Sequence, residues 1–375
     1  MDNCVIPHGY KATALGIIPQ EWEVMLLGNL SNSISSGRNK HRDAHGQYPV
    51  FGSTGIIGYS STYEYEGPVI LVARVGANAG TLNFASGQYD VSDNTLIITI
   101  KQNVYDYNFA YNQLTHYKLN KLVFGSGQPL ITSKQLKNIR IPVPPLAEQR
   151  KIAEVLGVWD KAIEKQARLI EKLALRKRAL MQRLLSAKLR LPGFSDPWKE
   201  LKINKITIIR KGEQVNKDVL FSNAKYPVIN GGITPSGYLD IYNTKANTIT
   251  ISEGGNSCGY VNFMTTPFWS GGHCYTIEAK DGINNLCIYQ LLKNNEKYIM
   301  SLRVGSGLPN IQIKDLGNLK FMIPTYQEQT AIAEVLTASD REIELAKEKL
   351  ERLRRQKRGL MQQLLTGKKR VKYGN

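Results

Sequence analysis

From residue 146 onward, apolar side chains return every three or four positions. Ile152, Leu156, Trp159, Ile163, Ile170, Leu173, Leu180 and Leu184 form one stripe, with Gln166 and Lys177 as its polar members. A second stripe follows residue 324, where Ile332, Leu336, Ile343, Ala346, Leu350, Leu353, Leu360 and Leu364 share a face with Ser339 and Lys357. A heptad pattern of this length predicts two helices that pair as a coiled coil. About forty residues rising 1.5 Å each would make rods on the order of 60 Å, far longer than a small domain needs for its own core. Because one rod follows each globular half, the two are expected to pack antiparallel and act as a spacer. Pro144, Pro145 and Pro324 open them, where a missing N–H is harmless. Thr325 and Glu328 have capping-box spacing. Lys177 and Lys357 hold the same seam position, where a polar group either fixes register or snorkels at a frayed end.

The two helical segments are copies. EQRKIAEVL at 148–156 returns as EQTAIAEVL at 328–336, and the same 180-residue offset carries Asp160 onto Asp340, Lys177 and Arg178 onto Lys357 and Arg358, and Leu184 and Leu185 onto Leu364 and Leu365. Such register over so long a stretch indicates a duplicated unit. Upstream the likeness weakens but persists. KLVFGSGQPLITSKQLKNIRIPVP at 121–144 aligns with LRVGSGLPNIQIKDLGNLKFMIP at 302–324, YPVFGSTGIIGY at 48–59 with YPVINGGITPSGY at 226–238, VARVGANAG at 72–80 with ISEGGNSCG at 251–259, and Trp22 with Trp198. Runs such as Pro68 to Val75, Thr95 to Ile100 and Asn247 to Ile251 read as short strands, and 287–302 as a helix. Each half is therefore expected to be α+β. Framework glycines, prolines and apolar residues match between the halves, whereas polar loop residues do not: SGRNKHRDAHG at 36–46 answers to RKGEQVNKD at 210–218, Arg74 to Glu253 and Gln128 to Leu308.

Composition narrows the function. A chain of 375 residues with 42% hydrophobic residues can bury two cores. Cys4, Cys258, Cys274 and Cys287 show no metal-ligand or disulfide spacing, which suits a reducing compartment. Neither a signal pattern nor a membrane-length apolar run is visible, so a soluble cytoplasmic protein without membrane contact is expected. The formal charge of +18 points to a polyanionic partner or to a solubility device, and the duplicated helices carry most of it. Arg354, Arg355, Lys357 and Arg358 either solvate a helix face or contact phosphate or protein.

In this arrangement the chain resembles the DNA-recognition (specificity) subunits of Type I restriction-modification systems. The resemblance rests on PPLAEQRKIAEVL with LRKRALMQRLLS, on PTYQEQTAIAEVL with RRQKRGLMQQLLTGK, and on the openings IPQEWEVMLLGNL and LPGFSDPWKELKINKI. It implies two similar target-recognition domains at 1–145 and 188–323, separated by a pair of long antiparallel coiled-coil helices at 146–187 and 324–375. Each domain would read half of a split, asymmetric double-stranded DNA target from the major groove, and the helices would set the spacing. Two methyltransferase subunits and motor-nuclease subunits would dock on the repeats. S-adenosylmethionine, ATP and Mg would belong to those partners, leaving this chain without a cofactor or catalysis of its own.

Base reading needs paired donors and acceptors, Arg or Lys for guanine and Asn or Gln for adenine. The candidates are Arg38, Asn39, Lys40, Arg42, Arg74, Asn78 and Gln128 in the first half. In the second half they are Lys211, Gln214, Asn216, Lys217, Asn256, Ser257, His273 and Asn310. Each has the alternative role of a solvated or turn residue, since loops use such residues for conformation.

Enzymatic readings fit poorly. FGSG at 124–127 lacks the strand-turn-helix context and ribose-binding acid of a cofactor loop, and VPPL at 143–146 lacks the residues that flank an adenine-methylating motif. GANAG at 76–80 has no Walker lysine. The histidines, His8, His41, His45, His116 and His273, are scattered, and no acid-x-Lys pair recurs in both repeats, as nuclease chemistry would need clustered acids or histidines.

Overall fold

The computed structural model describes residues 6–40, 43, 45–125, 129–305 and 309–372. Contacts divide the chain into two units, one of residues 1–166 with 349–375 and one of residues 167–348. Both helical segments are shared between the units, so each unit holds part of its own helix and part of the other.

Unit 1 is built on an antiparallel sheet of β1 (Ser31–Ser36), β2 (Val69–Ala73), β3 (Leu82–Ala85) and β4 (Thr95–Ile100), in the order β1-β4-β2-β3. The run VILVA of β2 is buried throughout, which is the signature of a strand covered on both faces. Alternation sends Ile70, Val72, Leu96 and Ile98 into the main core, while Val69, Leu71 and Ile97 enter a smaller core under a second sheet. That second sheet contains Tyr48–Gly52, where the YPVF motif lies, paired in parallel with Gln88–Val91. Helix α1 (Tyr107–Tyr117) covers the main core, its first turn capped by Asp106, which accepts from the Phe109 N–H at 2.9 Å.

Unit 2 repeats this plan with β5 (Thr207–Lys211), β6 (Thr248–Ser252), β7 (Val261–Met264) and β8 (Cys274–Ala279), in the order β5-β8-β6-β7. Its second sheet again pairs the YPV strand, Tyr226–Ile229, in parallel with Trp269–Ser270. The helix expected over 287–302 is two helices, α3 (Asn285–Asn294) and a short one at Glu296–Ser301. The break falls at Asn295, whose side chain donates to the Leu291 carbonyl at 2.8 Å and so competes with helix continuation.

The long helices are α2 (Leu146–Leu184) and α4 (Tyr326–Leu364). At 39 residues each they match the stripe lengths. Their ends are core elements. Ile152 and Leu156 of α2 join Met361 and Leu364 of α4 in the core of unit 1, and Met181 and Leu184 join Ile332 and Leu336 in that of unit 2. The reversed order of partners makes the helices antiparallel within each unit. Glu148 and Gln149, and their copies Glu328 and Gln329, are buried although polar. In unit 1 the Trp22 indole donates to Glu148 at 3.0 Å, and the Arg370 guanidinium grips the same carboxylate at 2.6 and 2.9 Å. In unit 2 Trp198 and Arg190 hold Glu328 at 3.0, 2.6 and 2.8 Å. The capping-box spacing of Thr325 and Glu328 thus serves another purpose: the carboxylate is engaged by a tryptophan and an arginine. Gln149 and Gln329 clamp the same junctions, accepting from the Asp106 and Asn284 N–H groups at 2.8 Å and donating to the Pro144 and Pro324 carbonyls at 2.9 and 3.0 Å.

The seam lysines have partners as well. Lys357 donates to Asp160 at 2.5 Å in unit 1, and Lys177 to Asp340 at 2.5 Å in unit 2. Because the same residue pair recurs 180 positions on, the lysines act as register pins of the kind a polar seam residue can supply. Among the described cysteines, Cys258, Cys274 and Cys287 are free and buried. No described helix is long and apolar enough to cross a membrane.

Candidate nucleic-acid interface

In each unit the end of the first sheet strand, the end of the second and the start of the fourth meet at one edge of the main sheet. Ser36 pairs with Leu96 and Ala73 with Thr95 in unit 1; Lys211 pairs with Tyr275 and Ser252 with Cys274 in unit 2. The chain leaves this edge through Gly37 or Gly212. A Cβ at either would collide with backbone oxygens, of Val91 and Ser92 in the first case and of Ser270 and Gly271 in the second, so only glycine permits so close an approach.

Backbone bonds then lay three loops side by side in the same way twice. The N–H of Arg74 donates to Asn94 at 2.9 Å and its carbonyl accepts from Ile131 at 2.9 Å; Glu253 makes the same two bonds, to His273 and from Ile311, both at 2.9 Å. Gly76 donates to Pro129 at 2.9 Å, as Gly255 does to Pro309 at 3.0 Å. The glycine cluster GANAG is therefore a backbone turn joining the second and third strands.

On this frame unit 1 gathers five candidates. Arg74 donates to the Ser36 hydroxyl at 3.2 Å. Arg38 is exposed and 3.8 Å from Glu64, Asn39 donates its amide to the buried Asp90, and Asn78 is exposed at the turn. Lys40 is an exposed neighbour of Asn39. Arg42 and Gln128 lie outside the described residues, as do Ser126 and Gly127 of the first GSG motif and Ser306 and Gly307 of the second.

Unit 2 centres on Glu253, which aligns with Arg74 but is not among the sequence candidates. Glu253 accepts from Lys211 at 2.6 Å, lies 3.4 Å from the His273 imidazole, and is 3.0 Å from the Tyr275 hydroxyl, which is also 3.0 Å from the Ile311 carbonyl. Burial disfavours its ionisation, but the bonds from Lys211, Tyr275 and His273 outweigh that and hold its carboxyl below the usual carboxylate range. Burial and the Glu253 carboxylate raise the Tyr275 phenol in turn. Asn310 bridges to Gly254 beside this group, and its side-chain oxygen accepts from Gln312 at 3.1 Å. Ser257 donates to the Gly231 carbonyl at 2.6 Å, and Asn256 is exposed next to it. Gln214 donates to the Val215 carbonyl at 3.3 Å. Asn216 caps the turn Lys217–Val219, on which Lys217 is exposed, so these two sit farther along the loop. Glu253 and Tyr275 were missed because an acid and a tyrosine inside strand-like text carry no local signal; the offset alignment of Arg74 with Glu253 was the available clue.

A profile described as Type I restriction modification DNA specificity domain matches residues 19–174 and 195–355. A type I restriction enzyme specificity subunit of Methanocaldococcus jannaschii is 25% identical over 96% of this chain and 95% of its own length. A Mycoplasma pneumoniae protein assigned as a type I specificity subunit is 34% identical, over 44% of this chain and 45% of that one, so that alignment spans under half of either. The fold is similar to the crystal structure of the Type-I restriction-modification S subunit from M. genitalium, with a TM-score of 0.69 at 21% identity over 92% of this chain and 96% of the other. With two profile matches that together span most of the sequence, the chain belongs to the Type I restriction-modification DNA specificity family.

Proposed function

We propose that this chain is the DNA-reading subunit of a Type I restriction-modification complex in the cytoplasm. Each unit reads one half of a split asymmetric duplex target through the loops at its main sheet edge. The paired helices α2 and α4 form an antiparallel coiled-coil spacer between the half-sites, and their repeated faces receive two methyltransferase subunits and the motor-nuclease subunits. Methyl transfer, translocation and cleavage, with S-adenosylmethionine, ATP and Mg, belong to those partners, so the chain itself is a non-catalytic reader and scaffold. One observation carries this reading: the two units share strand order and edge hydrogen bonds yet present different polar side chains there.

Binding to random duplex DNA as a function of salt tests it. Affinity is expected to fall by roughly 0.9 log units per contacted phosphate for each log unit of salt. A flat response would instead favour a coiled-coil adaptor that does not touch nucleic acid.

A further inference from the structure

The two sheet edges match in hydrogen bonding but not in charge. Ser36 and Lys211 are equivalent, since each is the last residue of its strand and faces the second residue of the fourth strand, Leu96 or Tyr275. Arg74 and Glu253 are equivalent by their two backbone bonds. In unit 1 the cation grows from the second strand and leans on a hydroxyl of the first, Arg74 on Ser36. In unit 2 the cation grows from the first strand and leans on a carboxylate of the second, Lys211 on Glu253. Cation and acceptor have exchanged places across one cradle.

We propose that Glu253 is a positioning residue for base reading, and that this exchange, Ser36 with Arg74 against Lys211 with Glu253, makes the two units prefer different bases. The proposal rests on the reading of the chain as a DNA-specificity subunit. The Glu253 side chain is only 10% exposed, whereas Lys211 and His273 are 52% and 63% exposed. The acid therefore sits behind the two groups that can reach a base and fixes where they point. A guanidinium supported by a neutral hydroxyl keeps its fork for bidentate contact with guanine, while an ammonium tethered to a carboxylate is a single, aimed donor. Tyr275 supports the tether through its hydroxyl, where unit 1 has Leu96 and carries Arg74 in the place of Glu253.

The test is selection of bound duplexes from a random pool by the full chain in its native complex. Glu253→Gln keeps the shape and removes the charge; Lys211→Ser with Glu253→Arg transplants the unit 1 arrangement into unit 2. The single variant is expected to flatten base preference about tenfold at one or two positions of one half-site, and the double variant to shift one of those positions toward guanine. In both, the other half-site stays as in the wild type and reports a folded chain. The proposal is overturned if both variants select the wild-type sequence with undiminished preference, or if both lose the two half-sites together, which would make Glu253 a residue of the fold. A wild-type chain that selects no split sequence would strike the underlying functional reading instead.

Discussion

At the scale of single residues, the helix junctions hold buried carboxylates in charge-assisted hydrogen bonds. Glu148 is fully buried and meets Arg370 and Trp22, so its charge is tolerable only while both are in place. Removing Arg370 would leave the buried Glu148 carboxylate without this cation, whereas Arg370 is partly exposed and also bonded to Glu21 at 2.8 Å. Arg370→Gln is therefore expected to lower the stability of unit 1 by about 3 kcal/mol, read as a shift of the denaturant midpoint. Glu253 gives a pH-dependent counterpart. Its carboxyl titrates lower in the folded chain than in the unfolded one, so its contribution is fully present above the ordinary carboxylate range and is lost as pH falls through the folded value. The difference in melting temperature between wild type and Glu253→Gln should accordingly be fully present above the ordinary carboxylate range and shrink as pH falls through the lowered folded value, below which the Lys211, His273 and Tyr275 partners no longer face a charge.

At the scale of elements, the heptad stripes were readable because burial of a seam imposes a period on the sequence. Ile152, Leu156, Leu173 and Leu184 are buried, and so are Ile332, Leu336, Leu350 and Leu364. The polar exceptions were readable only as alternatives. Nothing local says that Lys177 finds Asp340 or Lys357 finds Asp160; two helices must already lie antiparallel before those groups meet. The EQ pairs were seen as a helix opening, yet their role depends on Trp22, Trp198, Arg190 and Arg370, which lie far off in sequence. Framework turns at the sheet edge followed from matched glycines, whereas the alignment of Glu253 with Arg74 gave its position and only side-chain geometry gave its partners. With both lysine pins retained, deleting seven residues from each helix between the pins, 163–169 and 343–349, keeps the seam in phase. The expected result is an altered spacer with unaltered half-sites in DNA selected from a random pool. Altered half-sites with unchanged spacing would count against the spacer role of the helices.

At the scale of the whole molecule, duplication has let one scaffold carry two polar edges. Exchange of residues 36–46 for the equivalent loop of another member of the family is expected to change one half of the selected target and leave the other as it was. A change in both halves, or in neither, would mean the units do not read independently.

The division of the chain also dictates an order of events during synthesis. Residues 167–348 form a contiguous unit, but unit 1 waits for residues beyond 349, because Met361, Leu364 and Arg370 complete its core and neutralise Glu148. Domains ordinarily fold as they emerge, first part first. Here residues that precede 167 are sealed only after unit 2 has been made, and a nascent chain halted near residue 349 would display an open apolar cleft and an orphaned carboxylate to the chaperones and proteases that patrol such intermediates.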